Sequence, residues 1–186
     1  MINVLLVGSG AREHAIARAI SCSRHTINLY CIGEHINPGI TLLAETKQIS
    51  LKNIDKVINE IQGKSLDIAI IGPEEPLGLG LADALIELGI KVVGPTKALA
   101  QIETSKDFSR NLMKKYAPDV IPKYQTFTDI DSLNKSLIQR KNYVIKASGL
   151  MGGKGVYISG EHFNTTAEAL KIADKLFDNN ESVLIE

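Results

Sequence analysis

Lys146-Ala-Ser-Gly-Leu-Met-Gly-Gly-Lys-Gly-Val156 decides how the second half of this chain is built. Gly149, Gly152, Gly153 and Gly155 remove the side chains that would keep a ligand from the backbone. They also admit positive φ, so successive N–H groups can converge on one anion. Lys146 and Lys154 place positive charge beside that concavity. The runs on either side, Asn142–Lys146 and Val156–Ser159, read as strands. A phosphate loop of the G-x-x-x-x-G-K-[ST] type leads from a strand into a helix. Here no Ser or Thr follows Lys154, and β-branched and aromatic residues come next. The stretch is therefore predicted as a flexible hairpin that covers the phosphates of a nucleoside triphosphate. The plain alternative, a glycine-rich turn with two solvated lysines, needs far fewer residues than this one spends.

Working outward, the first hundred residues alternate strand and helix signals. Ile2–Val7, Thr26–Ile32, Leu66–Ile71 and Lys91–Val93 read as strands, the first and third as apolar runs buried on both faces. Arg12–Ser21 carries Ala15, Ile16, Ala19 and Ile20 at helical spacing, Ile54–Ile61 repeats an apolar face, and Leu79–Leu88 is a helix closed by Gly89. Such alternation predicts an α/β domain, a parallel sheet with helices on both faces. After residue 100 the order changes. Ser105–Tyr116 is helical, Tyr124–Phe127 a strand, and Asp129–Gln139 a helix with Leu133, Leu137 and Ile138 inward. The glycine hairpin follows, then helix Thr166–Phe177 and strand Ser182–Ile185. This predicts a smaller α+β subdomain, with domains at 1–103 and 104–186. The apolar strand just before Glu186 leads to the expectation that the sequence is an N-terminal fragment, lacking a C-terminal half.

Gly8-Ser-Gly-Ala-Arg-Glu-His14 lies at the end of the first strand and opens the first helix, where free N–H groups and the positive helix end face an anion. A dinucleotide site wants G-x-G-x-x-G, and Glu13 holds the third glycine position. Arg12 offers a guanidinium to a phosphate or carboxylate. Glu34, after the second strand, keeps a ribose contact open. Spacing thus leaves three readings: a phosphate-bearing substrate, a dinucleotide, or a structural turn. His14 reads as a packed or capping histidine before a catalytic base. Gly72-Pro-Glu-Glu-Pro-Leu-Gly78 follows the third apolar strand at the same sheet edge. Glu74 or Glu75 there would meet a substrate ammonium or hydroxyl, or else cap the next helix.

Composition narrows the class. The 186 residues are 44% apolar, and Lys+Arg and Asp+Glu both number 21. No global field recruits nucleic acid or an anionic membrane. The N-terminal apolar run has no basic flank and is too short for a signal peptide or span, and Cys22 and Cys31 show no metal or redox spacing. A cytoplasmic location is expected. The four histidines are scattered, with no metal set.

Val7-Gly-Ser-Gly-Ala-Arg-Glu-His-Ala15, Gly72-Pro-Glu-Glu-Pro-Leu77, Gly94-Pro-Thr96, Ser105-Lys106 and Lys146–Val156 together resemble the phosphoribosylamine–glycine ligase family of purine synthesis, in its order and spacing. The resemblance implies a Rossmann-like N-terminal domain followed by the first subdomain of an ATP-grasp enzyme. It implies a monomer acting on ATP, glycine and phosphoribosylamine through glycyl phosphate, with Mg2+ or Mn2+ ligands beyond residue 186. It matches Lys106, Lys146, Ser148, Gly149, Gly152, Gly153, Lys154 and Gly155 to ATP contacts. Val183, Ile185 and Glu186 match the strand entering the adenine hinge. Gly8, Gly10, Arg12, Glu13, His14, Gly72, Pro73 and Glu74 match the substrate loops. The family's usual G-N-A-G loop appears as Asn37-Pro-Gly-Ile-Thr41. Two other classes remain open on the residues alone: a nicotinamide-dependent oxidoreductase built on Gly8–Glu13, and a non-catalytic nucleotide-binding module.

Overall fold

The computed structural model describes residues 1–138, 140–179 and 182–186. They form two compact units, Met1–Ala100 and Gln101–Glu186. The first contains β1 (Ile2–Val7), α1 (Ala11–Ser21), β2 (Ile27–Gly33), α2 (Pro38–Thr41), β3 (Glu45–Gln48) and α3 (Ile54–Ile61). It continues with β4 (Ile68–Ile71), α4 (Glu74–Leu79), α5 (Leu81–Glu87) and β5 (Lys91–Val93), and α6 (Lys97–Thr104) runs across the division. The five strands are parallel in the order β3-β2-β1-β4-β5.

Alternation along the central strands explains why they read as unbroken apolar runs. Leu5, Val7, Tyr30, Ile32, Ala69 and Ile71 face α3 and α5, packing on Val57, Ile61, Leu81 and Leu85. Val4, Leu6, Leu29 and Cys31 face the other way, against Ala17 of α1 and Ile40 of α2. Each fully buried Leu or Ile is worth about 1.5–3 kcal/mol of transfer free energy.

The second unit contains α7 (Lys106–Tyr116), a 3-10 turn (Pro118–Val120), β6 (Gln125–Phe127), α8 (Ile130–Leu137) and β7 (Val144–Ala147). After the glycine loop come β8 (Val156–Ile158), α9 (Thr166–Asp178) and β9 (Val183–Ile185). The sheet is antiparallel, in the order β6-β9-β7-β8. Its core joins Ile145, Ala147, Val183 and Ile185 to Leu133 and Leu137 of α8 and Ala169, Ala173 and Leu176 of α9. No helix among the described residues is long and apolar enough to cross a membrane.

Several expectations need correction. The helix predicted over Leu79–Leu88 is α5, which starts two residues later because Gly80 turns left-handed (φ 97°) and leaves Leu79 as the last residue of α4. The stretch Gly72–Gly78, expected to lie before the next helix, is mostly α4 itself: Pro73 precedes the first helical residue and Pro76 sits in the first turn, where a missing N–H costs nothing. Strand β3 has no apolar signal, since Glu45-Thr-Lys-Gln48 forms the polar edge of the sheet. In α1 the inward residues are Glu13 and Ala17, while Ala15 and Ala19 are exposed. Ile138, predicted inward, is 75% exposed just past the end of α8. Gln139, in the same predicted helix, lies outside the described residues.

Candidate functional site

Strand order reverses between β1 and β4, and at such a switch point the loops beyond the strand ends part to leave a crevice. The loop after β1 (Gly8–Gly10) and the loop after β4 (Gly72–Pro73) meet there. The Gly72 N–H donates to the Val7 carbonyl at 3.0 Å, and the Gly8 N–H to the Ile32 carbonyl at 2.8 Å. Between them sits the Glu13 carboxylate, 4% exposed. Its Oε2 accepts the Gly10 N–H at 2.7 Å, reaching back from the first turn of α1 to its cap. A Cβ on Gly72 would lie 2.1 Å from Glu13 Oε1, and one on Gly8 2.7 Å from Glu13 Cγ. The two glycines therefore form the cradle that lets a carboxylate occupy this spot.

Among the described residues Glu13 Oε1 accepts no hydrogen bond, and it lies 3.3 Å from Arg12 Nε. The Arg12 guanidinium spans onward to Glu74, with Nη2 3.6 Å from Oε2. Glu75 points elsewhere, to Lys52 at 3.3 Å. Of the two acids left open by the sequence, Glu74 is the one at the switch point. One guanidinium between two carboxylates leaves a net negative corner, which suits an ammonium or hydroxyls better than a bare phosphate. The His14 ring packs over Gly39, whose added Cβ would come within 2.2 Å of it, so His14 is a packing residue in this structure. The Glu34 carboxylate is occupied by the Leu51 N–H at 2.7 Å and the Ser50 hydroxyl at 3.3 Å, in the turn before α3.

Asn37, which opens the stretch matched to the family's G-N-A-G loop, serves as the cap of α2. Its Oδ1 accepts the Gly39 N–H at 2.9 Å and its Nδ2 donates to the Ser9 carbonyl at 3.0 Å, tying α2 to the β1 loop. Asn followed by Pro and a short helix is a cap signature that marked it.

In the second unit, α7 brings cations to the mouth of the glycine loop. The Lys106 N–H donates to the Ser148 carbonyl at 2.9 Å and Lys106 Nζ to the Gly149 carbonyl at 2.9 Å. Ser148 is 7% exposed; its N–H donates to the Ser182 carbonyl and its Oγ accepts the Asp107 N–H. Lys146, on β7, pairs with the Glu186 carboxylate just past β9. The loop turns over through left-handed Gly152 and Gly153 (φ 55° and 81°), and the Ala147 N–H donates to the Gly155 carbonyl at 2.9 Å. Lys154 stands exposed at the tip.

Arg110, one turn after Lys106 on α7, was not anticipated. Its Nε and Nη2 both reach Glu186 Oε1, at 2.7 and 2.6 Å. Burial pushes the Glu186 carboxyl up, but the Lys146 and Arg110 hydrogen bonds and charges outweigh it and hold that carboxyl below the usual carboxylate range. Only the i, i+4 spacing from Lys106 signalled Arg110, and that spacing is common on any charged helix. Val183 and Ile185 are fully buried with side chains in the core, so they contribute to this cluster by placing Glu186. The structure thus gathers Lys106, Lys146, Ser148, Gly149 and Glu186 in one place.

A Rossmann-type sheet followed by an antiparallel unit with a lysine-flanked glycine hairpin defines the front portion of an ATP-grasp protein. The model for phosphoribosylglycinamide synthetase, N domain, matches residues 2–103, and that for its ATP-grasp (A) domain matches residues 104–186. The chain belongs to the phosphoribosylglycinamide synthetase family. It is 44% identical over 185 residues to a phosphoribosylamine–glycine ligase of Methanococcus maripaludis, covering 96% of this chain and 41% of the relative. It is 39% identical over 186 residues to one of Methanosarcina barkeri, covering 100% of this chain and 43% of the relative. A crystal structure of phosphoribosylamine–glycine ligase from Thermotoga maritima superposes with a TM-score of 0.71 at 25% identity, over the whole chain and 43% of that protein. The chain spans about two fifths of the length of the curated relatives it matches.

Proposed function

We propose that this chain carries the substrate-binding domain and the first ATP-grasp subdomain of an enzyme that joins glycine to 5-phosphoribosylamine. In this reading ATP phosphorylates the glycine carboxylate, ADP leaves, and the resulting acyl phosphate is attacked by the 1-amino group. Phosphate departs with loss of a proton, giving glycinamide ribonucleotide. A free carboxylate is a poor acyl donor, and phosphorylation supplies its leaving group. The observation that carries the proposal is the convergence of Lys106, Lys146 and the Gly149–Gly155 hairpin in a chain of this family.

Each group has a task on this reading. Lys106 and Lys146 neutralise phosphate charge, and the hairpin with Lys154 covers the phosphates through backbone N–H groups. Glu186 begins the adenine hinge. At the switch point Arg12, Glu13 and Glu74 orient phosphoribosylamine, their net negative corner facing its amine and hydroxyls. ATP-grasp chemistry also calls for Mg2+ or Mn2+. Among the described residues no three His, Cys, Asp or Glu side chains come close enough to hold a metal. The buried Glu13 carboxylate argues against a nicotinamide dinucleotide, because a pyrophosphate on the start of α1 would face it. A cytoplasmic location is part of the proposal, supported by two free cysteines, of which Cys31 is buried.

The test is a coupled ADP-release assay on the native full-length protein with ATP, glycine and freshly made phosphoribosylamine. ADP release that requires both co-substrates is expected. Release indifferent to either one would reject the proposed reaction.

A further inference from the structure

Glu186 is one carboxylate shared by two cations, and its oxygens are divided between them. Oε1 is held by Arg110 through two N–H groups, at 2.7 and 2.6 Å, and Oε2 by Lys146. The three side chains are only 10%, 21% and 20% exposed for Glu186, Arg110 and Lys146. In this arrangement the charge of the Lys146 ammonium is already offset by Glu186, which weakens its pull on a phosphate although N–H donors remain. Taking it away would strip Oε2, and a buried carboxylate left without a cation is strongly destabilised. Arg110 removes that obstacle, since its grip on Oε1 does not depend on Lys146.

We propose that Arg110 is a positioning residue that keeps the Glu186 carboxylate paired while Lys146 changes partner from that carboxylate to the phosphates of a bound nucleoside triphosphate. The inference rests on the reading above that Lys146 faces the nucleotide. Arg110 suits the task because its own place is fixed. Helix α7 is capped by Ser105, whose Oγ accepts the Phe108 N–H at 3.2 Å. Asp107 accepts the Thr126 hydroxyl at 2.6 Å, pinning the helix to β6, and the Lys106 N–H pins it to Ser148. A guanidinium can reach one oxygen with two nitrogens and leave the other free, which an ammonium on a flexible stem does less well.

The experiment measures affinity for a non-hydrolysable ATP analogue by calorimetry on the native full-length protein. Arg110→Met is expected to bind about tenfold more weakly than wild type, because Glu186 then holds Lys146 as its sole cation. Arg110→Lys is expected to lose about threefold. Arg110→Met combined with Glu186→Gln should recover to about the affinity of Glu186→Gln alone, because no carboxylate remains to be kept paired. A helix that merely folds badly would not be rescued by removing its partner. Arg110→Gln takes the place of Arg110→Met if melting shows that the latter does not fold. Unchanged affinity in the Arg110 variants, or no recovery in the double variant, overturns the inference. Wild type that fails to bind the analogue would instead remove the nucleotide reading beneath it, so the two failures are told apart.

Discussion

At the scale of single residues, the chain places charge where glycine makes room for it. Glu13 ends the resemblance to a dinucleotide fingerprint and, in the same stroke, explains why Gly8 and Gly72 stand on either side of it. A methyl group at position 72 would meet the carboxylate at 2.1 Å, so Gly72→Ala must displace it and break its bond to the Gly10 N–H. A loss of about 1–3 kcal/mol in stability to denaturant is expected. Wild-type stability in that variant would mean that Glu13 is not held as described. The sequence showed Glu13 as a departure from a motif and could not show its partner, because the Gly8–Gly72 cradle closes only when β1 and β4 pair. Arg110 was illegible for the same reason: its meaning depends on the end of β9, far along the chain. Asp, Glu, Lys and Arg on a helix surface carry no mark that separates a solvated charge from a paired one.

At the scale of elements, legibility followed apolar content. Strands β1, β2 and β4 and helices α3, α8 and α9 bury regular stripes, and their types were predicted with only end-residue differences. Strand β3 and helix α4 were missed because their polarity and prolines describe an edge and a first turn, which local pattern does not distinguish from loop. Helix α7 buries no residue fully and is held by polar contacts at its start and along its length. Its cap therefore matters more than for a helix seated in a core. Ser105→Ala is expected to cost about 1 kcal/mol. Hydrogen exchange should show the loss as faster exchange of the amides at the start of α7. Unaltered protection there would show that packing, not the cap, secures the helix.

At the scale of the whole molecule, each unit has its own apolar core, and the ionic cluster of the second unit adds a pH-dependent component to its stability. The Glu186 carboxyl is depressed in the folded protein, burial being outweighed by Lys146 and Arg110. A depressed carboxyl contributes stability that is fully present above its unfolded value and is lost as pH falls through its folded value. The stability gap between wild type and Glu186→Gln should therefore be widest near neutral pH and close as pH falls through and below the ordinary carboxylate range. Denaturant titrations of both proteins across that range check it, and a gap that stays constant in acid would show that the carboxylate is not ion-paired. A parallel-sheet domain followed by a smaller α+β unit was readable from the change in strand and helix order near residue 100, while the antiparallel pairing of the second sheet beyond the β7–β8 hairpin was not. Also unreadable is which cations share a carboxylate, since β6, β9, β7 and β8 are reordered relative to the chain.

The most direct measurement is a crystal structure of the native full-length protein with a non-hydrolysable ATP analogue. The Gly149–Gly155 backbone should lie over the phosphates, with Lys106 and Lys146 against them and Lys146 drawn off Glu186, which stays on Arg110. A nucleotide bound away from these residues, or a Lys146 still joined to Glu186 beside the bound phosphates, would contradict this.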